Sequence, residues 1–580
     1  MRLRERLIVK AIACVLIYAI EMLPLARAAS AAATDISDLP LAAAKRPNPN
    51  LALVIDDSGS TDDEVSFNAN DGASWWHTGD GRFHGRNTTD AVDFASRAWG
   101  GTGTLNYNMA GVAGAPWKKY VYLFPNGDCG GDCDTRTYAD LTDDHFAIAP
   151  TAQFAAFRSA DFNRQYYNPA ITYRPWKPYN DGTNKCPSGA VSGSGSSLLC
   201  TPVNANIKAA RSHPVYGNTV VDLTVNTPQS GATSATFRMY PGMIVPNGAK
   251  YRLCSSQDNK TCGSWSTATT NSCLVNSTVT GCVAMGMPMA GLLSMPSADH
   301  ADVQIDYFPA SYYTIDNTQA SPDAYAFDGS KLRLVEIKFG RPLPPKAATR
   351  EDCAGASCTY AEEIQNFANW YQYYRKRHLS LNAAVGNAFD GVRNLRGGYV
   401  RFNDLKDMTM YDFDKGTTDA DGHRLVGLVY QIKGSGGTPT RDAIDFVGQG
   451  FMKKGGPITD ACQFNAQFVI TDGFASTGGP KGYNNFDGNA PSSAYPYNQQ
   501  FNAAGTVITA PYQDKWSNTM ADMAMYYYST NLRPDLKAGR VPVDPNDLNP
   551  DADKNPNLHL NTYGLILGLR GEIFGNPIPE

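Results

Sequence analysis

The chain has 580 residues, with 50 Lys and Arg against 55 Asp and Glu, for a net charge of −5. That length exceeds one ordinary core and suits two to four domains, and the near balance of charge gives no basic surface for nucleic acid. With 53 Gly, 31 Tyr and 18% charged residues, the composition leans toward a β-rich, loop-rich, extracellular protein.

The chain opens with basic MRLRERLIVK, then apolar AIACVLIYAI, then Ala26-Arg27-Ala28 as a small-residue cleavage site. This pattern predicts a secretory signal peptide over residues 1–28. A membrane anchor is the rival reading, but Glu21, Pro24 and Arg27 interrupt the apolar run before it reaches the roughly 20 residues a span requires. The Ala-rich stretch 29–48 reads as a linker.

LALVIDDSGS (Leu51 to Ser60) is a short apolar strand ending in oxygen-bearing side chains at alternate positions: Asp56, Ser58 and Ser60. Such a set can ligate a hard divalent cation, although Asp, Ser and Gly also crowd ordinary turns. Asp57 is expected to point away from this set, and Gly59 to let the loop turn tightly.

Residues 66–357 are rich in Gly, Ser, Thr, Asn, Pro and Tyr and carry short alternating runs: KYVYLF (119–124), TVVDLTV (219–225), ATFRMY (235–240) and KLRLVEIKF (331–339). They predict a β-rich insertion module. Of the twelve cysteines, Cys14 falls in the leader, and ten of the rest are close neighbours: Cys129/Cys133, Cys186/Cys200, Cys254/Cys262, Cys273/Cys282 and Cys353/Cys358. In an exported chain these read as local disulfides rather than zinc ligands, since no standard zinc spacing is present. Cys462 is left over.

Helical periodicity begins at Ile364 and runs through Phe367, Tyr371, Tyr374, His378, Leu381, Val385, Ala388 and Val392, predicting one amphipathic helix or two end to end. His378 lies on the apolar stripe and reads as a packed core histidine. Arg375, Lys376 and Arg377 read as a solvated face. Then follow a strand at 398–402, a strand at 424–432, a helix over 440–452 opened by the Gly-rich loop GSGGTPT (434–440), a strand in QFVITDG (467–473), a helix over about 517–529 and a strand at 560–569. Thr440 is expected to cap its helix. Alternating strands and helices imply a parallel sheet covered on both faces, in a domain split into 49–65 and 358–575 around the insertion. Thr438 and Asp472 then fall on loops that can join Asp56, Ser58 and Ser60 at one sheet edge.

This pattern resembles the von Willebrand factor A domain, an α/β Rossmann-like fold with a metal-ion-dependent adhesion site. The resemblance implies that Asp56, Ser58, Ser60, Thr438 and Asp472 surround a cation, Mg²⁺ first, with Mn²⁺ and Ca²⁺ also suited. YYNPAITYRPW (Tyr166 to Trp176), YAEEIQNFANWYQYYRKR (Tyr360 to Arg377) and ADMAMYYYSTNLRPDL (Ala521 to Leu536) further resemble the N-terminal half of the PilY family of type IV pilus tip-associated adhesins. That likeness implies a non-enzymatic factor exported through the periplasm to the cell surface or pilus tip. Its implied partners are minor pilins and a host-surface ligand bearing an acidic residue. PilY proteins usually continue into a calcium-binding β-propeller. No propeller repeat and no EF-hand-like loop occurs in these 580 residues, so calcium control is not carried over, and a separate propeller polypeptide is a further expected partner. The alternatives are a secreted von Willebrand factor A-type surface protein unrelated to pili and a metal-dependent hydrolase. The second lacks a G-x-S-x-G, H-E-x-x-H or Walker motif.

Overall fold

The computed structural model describes residues 47–66, 75–77, 82–84, 117–118, 121–124, 146–179, 191–192, 199–200, 202–215, 220–227, 236–255, 261–282, 290–295, 300–315, 332–406, 408–414, 420–472, 475, 478–486, 500–501, 507–508, 516–536, 541, 553, 555–567, 572–573 and 576–577. The expected leader, all but the last two residues of the linker, the Cys129/Cys133 pair and Cys186 lie outside the described residues.

Strand β1 (Asn50–Ile55) is buried along its whole length and apolar from Leu51 on, because both its faces are covered. Ala52 and Val54 enter one core with Val400, Ala443, Ile444, Val447, Phe451 and Tyr527. Leu51, Leu53 and Ile55 enter the other with Leu379, Leu381, Leu425, Val426 and Val429. The sheet built on β1 adds β2 (Arg396–Arg401), β3 (Tyr411–Asp412), β4 (Asn465–Thr471) and β5 (Asn561–Ile566), in the order β3-β2-β1-β4-β5. β1 runs parallel to both β2 and β4, β4 runs parallel to β5, and only the short edge strand β3 is antiparallel. Order reverses between β1 and β4, and in open parallel sheets the crevice beyond that switch point is where ligands bind.

Helix α1 (Tyr360–Tyr373) starts at a capping box in which the Thr359 hydroxyl accepts the Glu362 N–H and the Glu362 carboxylate accepts the Thr359 N–H. Helix α2 (Arg377–Ala388) follows after a break, so the long stripe is two helices end to end. Helix α3 (Ala420–Val429) replaces the strand expected at 424–432. Its buried Leu425, Val426, Val429 and Tyr430 recur at helical spacing, and a short apolar run does not by itself distinguish helix from strand. Helices α4 (Thr440–Met452) and α5 (Met520–Ser529) stand as expected, packing Val447, Phe451, Met523 and Tyr527 into one core. Pro439, not Thr440, holds the N-cap position of α4, and Thr440 is buried as its first residue.

The insertion forms small sheets of short strands, including the antiparallel set Thr236–Met239, His300–Gln304, Lys250–Cys254 and Ser266–Thr267, and the pair Ser311–Ile315 with Leu332–Glu336. Disulfides join Cys254 to Cys262, Cys273 to Cys282 and Cys353 to Cys358, and Cys462 is free and exposed. The insertion shares its core with the sheet domain: Tyr166, Tyr167 and Trp176 cluster with Phe367, Trp370 and Tyr371 of α1. The segment Tyr166–Trp176 is pinned along α1 by polar bonds, with Trp176 Nε1 donating to Tyr373 O at 2.7 Å and Asn366 Nδ2 to Ile171 O at 2.8 Å.

Candidate metal centre

Asp56 immediately follows β1 and Asp472 immediately follows β4, so parallel register alone brings two carboxylates to the switch point. Asp56 Oδ1 accepts the Ser58 N–H at 2.8 Å, and Asp56 Oδ2 accepts the Thr471 hydroxyl at 2.6 Å and the Asp472 N–H at 3.4 Å. Ser58 Oγ and Ser60 Oγ lie 3.1 Å apart, and Ser60 Oγ donates to Asp472 Oδ1 at 2.9 Å. Four of the five expected ligands therefore form one linked group of hard oxygen donors. After Ser58 the chain enters a 3-10 turn, Gly59–Asp62, which aims Ser60 at Asp472.

Thr438 is half-buried and ends a loop stitched to this group by backbone bonds. Gly59 N–H donates to Gly436 O at 3.1 Å, and Ser435 N–H donates to Asp57 O at 2.6 Å. The left-handed conformation occurs at Gly436 (φ +93°), where a Cβ would meet Asn403 Oδ1 at 2.7 Å. Gly59 does not adopt it and opens the 3-10 turn Gly59–Asp62 without a left-handed conformation. Asp57 points away as expected: its Oδ1 accepts the Asn403 backbone and side-chain N–H groups, each at 2.9 Å.

The sequence reading missed the cations. Arg375, Lys376 and Arg377 are buried, not solvated. Arg375 Nε pairs with Glu64 Oε1 at 2.5 Å, Lys376 Nζ with Asp62 Oδ1 at 2.8 Å, and Arg377 Nη1 with Asp472 Oδ2 at 2.8 Å. The break between α1 and α2 turns these side chains onto the acids that follow the Ser60 turn. The visible signal was complementarity: Asp62-Asp63-Glu64 against Arg375-Lys376-Arg377. His378 is a buried core histidine, with Nδ1 3.0 Å from Thr61 O.

The residues fit a divalent ion on two grounds. Among the described residues around the loop, six buried carboxylates (Asp56, Asp57, Asp62, Asp63, Glu64 and Asp472) face three buried cations (Arg375, Lys376 and Arg377) and the half-buried Arg401, leaving a formal charge of −2. An excess of buried negative charge is costly, and one divalent cation would offset it. Burial, and after it the neighbouring Asp472 carboxylate, push the Asp56 carboxyl up to about 7 against the opposing bonds from Ser58 and Thr471. Arg377 answers one oxygen of Asp472, and a cation shared by the two carboxylates would ease the strain on Asp56.

No protein-family profile matches the chain, and no solved structure matches it. Among curated proteins it is similar to type IV pilus biogenesis factor PilY1 of Pseudomonas aeruginosa. It is 27% identical over 327 residues to the protein of strain PAO1, covering 47% of this chain and 27% of that protein. It is 29% identical over 302 residues to that of strain PAK, covering 46% and 24%. The similarity thus spans about a quarter of the length of these relatives.

Proposed function

On the footing that this chain is a PilY family protein, we propose that it is an exported, non-enzymatic factor of type IV pilus biogenesis that binds partner proteins through a metal-ion-dependent adhesion site. The sheet with its flanking helices is read as a von Willebrand factor A-like domain. What supports that reading is the strand order, with Asp56 and Asp472 at the switch point.

Asp56, Ser58, Ser60, Thr438 and Asp472 would hold the ion, with Mg²⁺ favoured over Mn²⁺ and Ca²⁺ because the donors are few, compact and partly neutral. When bound, the ion supplies an electrophilic coordination position that an acidic side chain of a partner completes. The chain's own residues orient that position. Thr471 and the Ser58 N–H fix both oxygens of Asp56, Ser60 and Arg377 divide the two oxygens of Asp472, and the Gly434–Thr438 loop closes on Gly59. The partners proposed from the likeness to PilY1 are minor pilins and a host-surface protein, met through an exposed carboxylate, at the cell surface or pilus tip.

The observation that carries the reading is the linked oxygen group Asp56–Ser58–Ser60–Asp472 in a relative of PilY1. The test is capture of minor pilins from periplasm by the mature chain, with and without EDTA, and by an Asp56→Ala variant whose circular dichroism is unchanged. Capture is expected to be lost in both cases. Undiminished capture by the variant would sink the adhesion-site mechanism.

A further inference from the structure

The acids that follow the Ser60 turn are fastened to the insertion. Glu64 Oε2 accepts the backbone N–H groups of Leu123 at 2.6 Å and Phe124 at 3.1 Å. Asn163 Nδ2 donates to Glu64 O at 3.0 Å, and its Oδ1 accepts the Ser66 N–H at 2.8 Å. The chain therefore leaves the site for the insertion already clamped by it.

Arg377 spans the two. Nη1 donates to Asp472 Oδ2 at 2.8 Å, while Nε and Nη2 donate to Val65 O at 3.1 and 2.7 Å. Its side chain is 3% exposed. Arg375 and Lys376 differ, because their paired acids, Glu64 and Asp62, lie within the run before the insertion, where Arg377 meets the Val65 carbonyl and, at 3.8 Å, the Asp63 carboxylate. Arg377 crosses instead to the loop after β4.

We infer that Arg377 is a positioning residue that couples occupancy of the cation site to the seating of the inserted module, resting on the cation reading proposed above. A guanidinium is planar and its donors are fixed relative to one another, so Asp472 and Val65 cannot shift independently while both are bound to it. An ion drawn to Asp472 fixes the carboxylate, the carboxylate fixes the guanidinium, and the guanidinium fixes the carbonyl from which the insertion departs. Coupling of this kind is reciprocal: a well-seated insertion presents Arg377 to one oxygen of Asp472 and leaves the other to Ser60.

The test uses the mature chain, with Mg²⁺ and Mn²⁺ titrations by calorimetry and amide exchange read by mass spectrometry at segments containing Ser66, Leu123 and Phe124. Saturating Mg²⁺ is expected to slow exchange there by about fivefold or more, the low end of ordinary coupling. Arg377→Gln is expected to bind the ion with an altered affinity, since Asp472 loses its guanidinium, and at saturating ion those amides no longer respond. Arg377→Lys keeps the charge beside Asp472 without the fork to Val65, so its amides are expected to respond weakly or not at all, and it carries the test should the Gln variant not fold. Absence of ion binding by the native chain sinks the cation reading and this inference together. Binding with unchanged exchange overturns the coupling alone, and a full response in Arg377→Lys or Arg377→Gln overturns the role of Arg377.

Discussion

Thr471 and Asp56, 415 residues apart in sequence, are joined by a 2.6 Å hydrogen bond from the threonine hydroxyl to the carboxylate. The bond ties the ends of two neighbouring parallel strands and fixes the oxygen that Asp56 presents. Much of the behaviour of the centre follows from how these ends are held.

Asp56→Asn keeps the shape of the side chain and removes its charge. In metal-free protein the substitution relieves a carboxylate crowded by burial and by Asp472, so the urea midpoint should hold or rise. Mg²⁺ affinity by calorimetry should fall at least about tenfold, since one charged ligand is gone. A large loss of metal-free stability together with retained affinity would contradict this assignment.

Arg375→Met leaves Glu64 buried with its charge unpaired, as both side chains are fully inaccessible. The expected cost is about 3–5 kcal/mol by chemical denaturation. Adding Glu64→Gln should recover part of it, because the amide oxygen still accepts from Leu123 and Phe124 without carrying charge. Equal stability of the single and double variants would show that the pair is not the source of the cost.

His213 and His378 stack with ring centroids 5.7 Å apart. Burial, and then His378, Lys376, Arg211 and Lys433, hold His213 well below its usual range; burial, offset in part by Asp62, takes His378 down to about 4. Both folded values lie below the unfolded value near 6.5, so the unfolded chain binds the extra protons. Stability from this pair is complete above about pH 6.5 and is lost as pH falls toward 4, by roughly 3 kcal/mol for His378. Urea midpoints measured across that interval should fall with acidification, and less steeply in His213→Phe.

Gly436→Ala places a Cβ at φ +93° against Asn403, which also bonds Asp57 and Gly437 O. A cost of about 1–3 kcal/mol is expected. Because the same loop bonds Gly59 and carries Thr438, Mg²⁺ affinity should weaken with it. Gly455→Ala, also at positive φ but with open space around it, serves as the control: strained backbone, unchanged affinity.

The local order of residues determined a good deal. Apolar runs bounded by turn residues marked β1, β2, β4 and β5, a 3.6-residue period marked α1 and α2, a Gly-rich loop marked the start of α4, and Asp56, Ser58, Ser60 and Asp472 stood out because oxygen donors follow strand ends. Side chains at short, regular spacing carry that information themselves. Tertiary structure alone decided the rest. Residues 424–429 are helical, and 430–431 turn, because β2 and β3 fill that side of the sheet and an apolar run of this length satisfies either conformation. Arg375, Lys376 and Arg377 have the composition of a solvated face and became a buried cation row because acids more than 300 residues earlier in the chain await two of them and Asp472 the third. Burial of charge depends on the partner across the fold, and no window of sequence contains both.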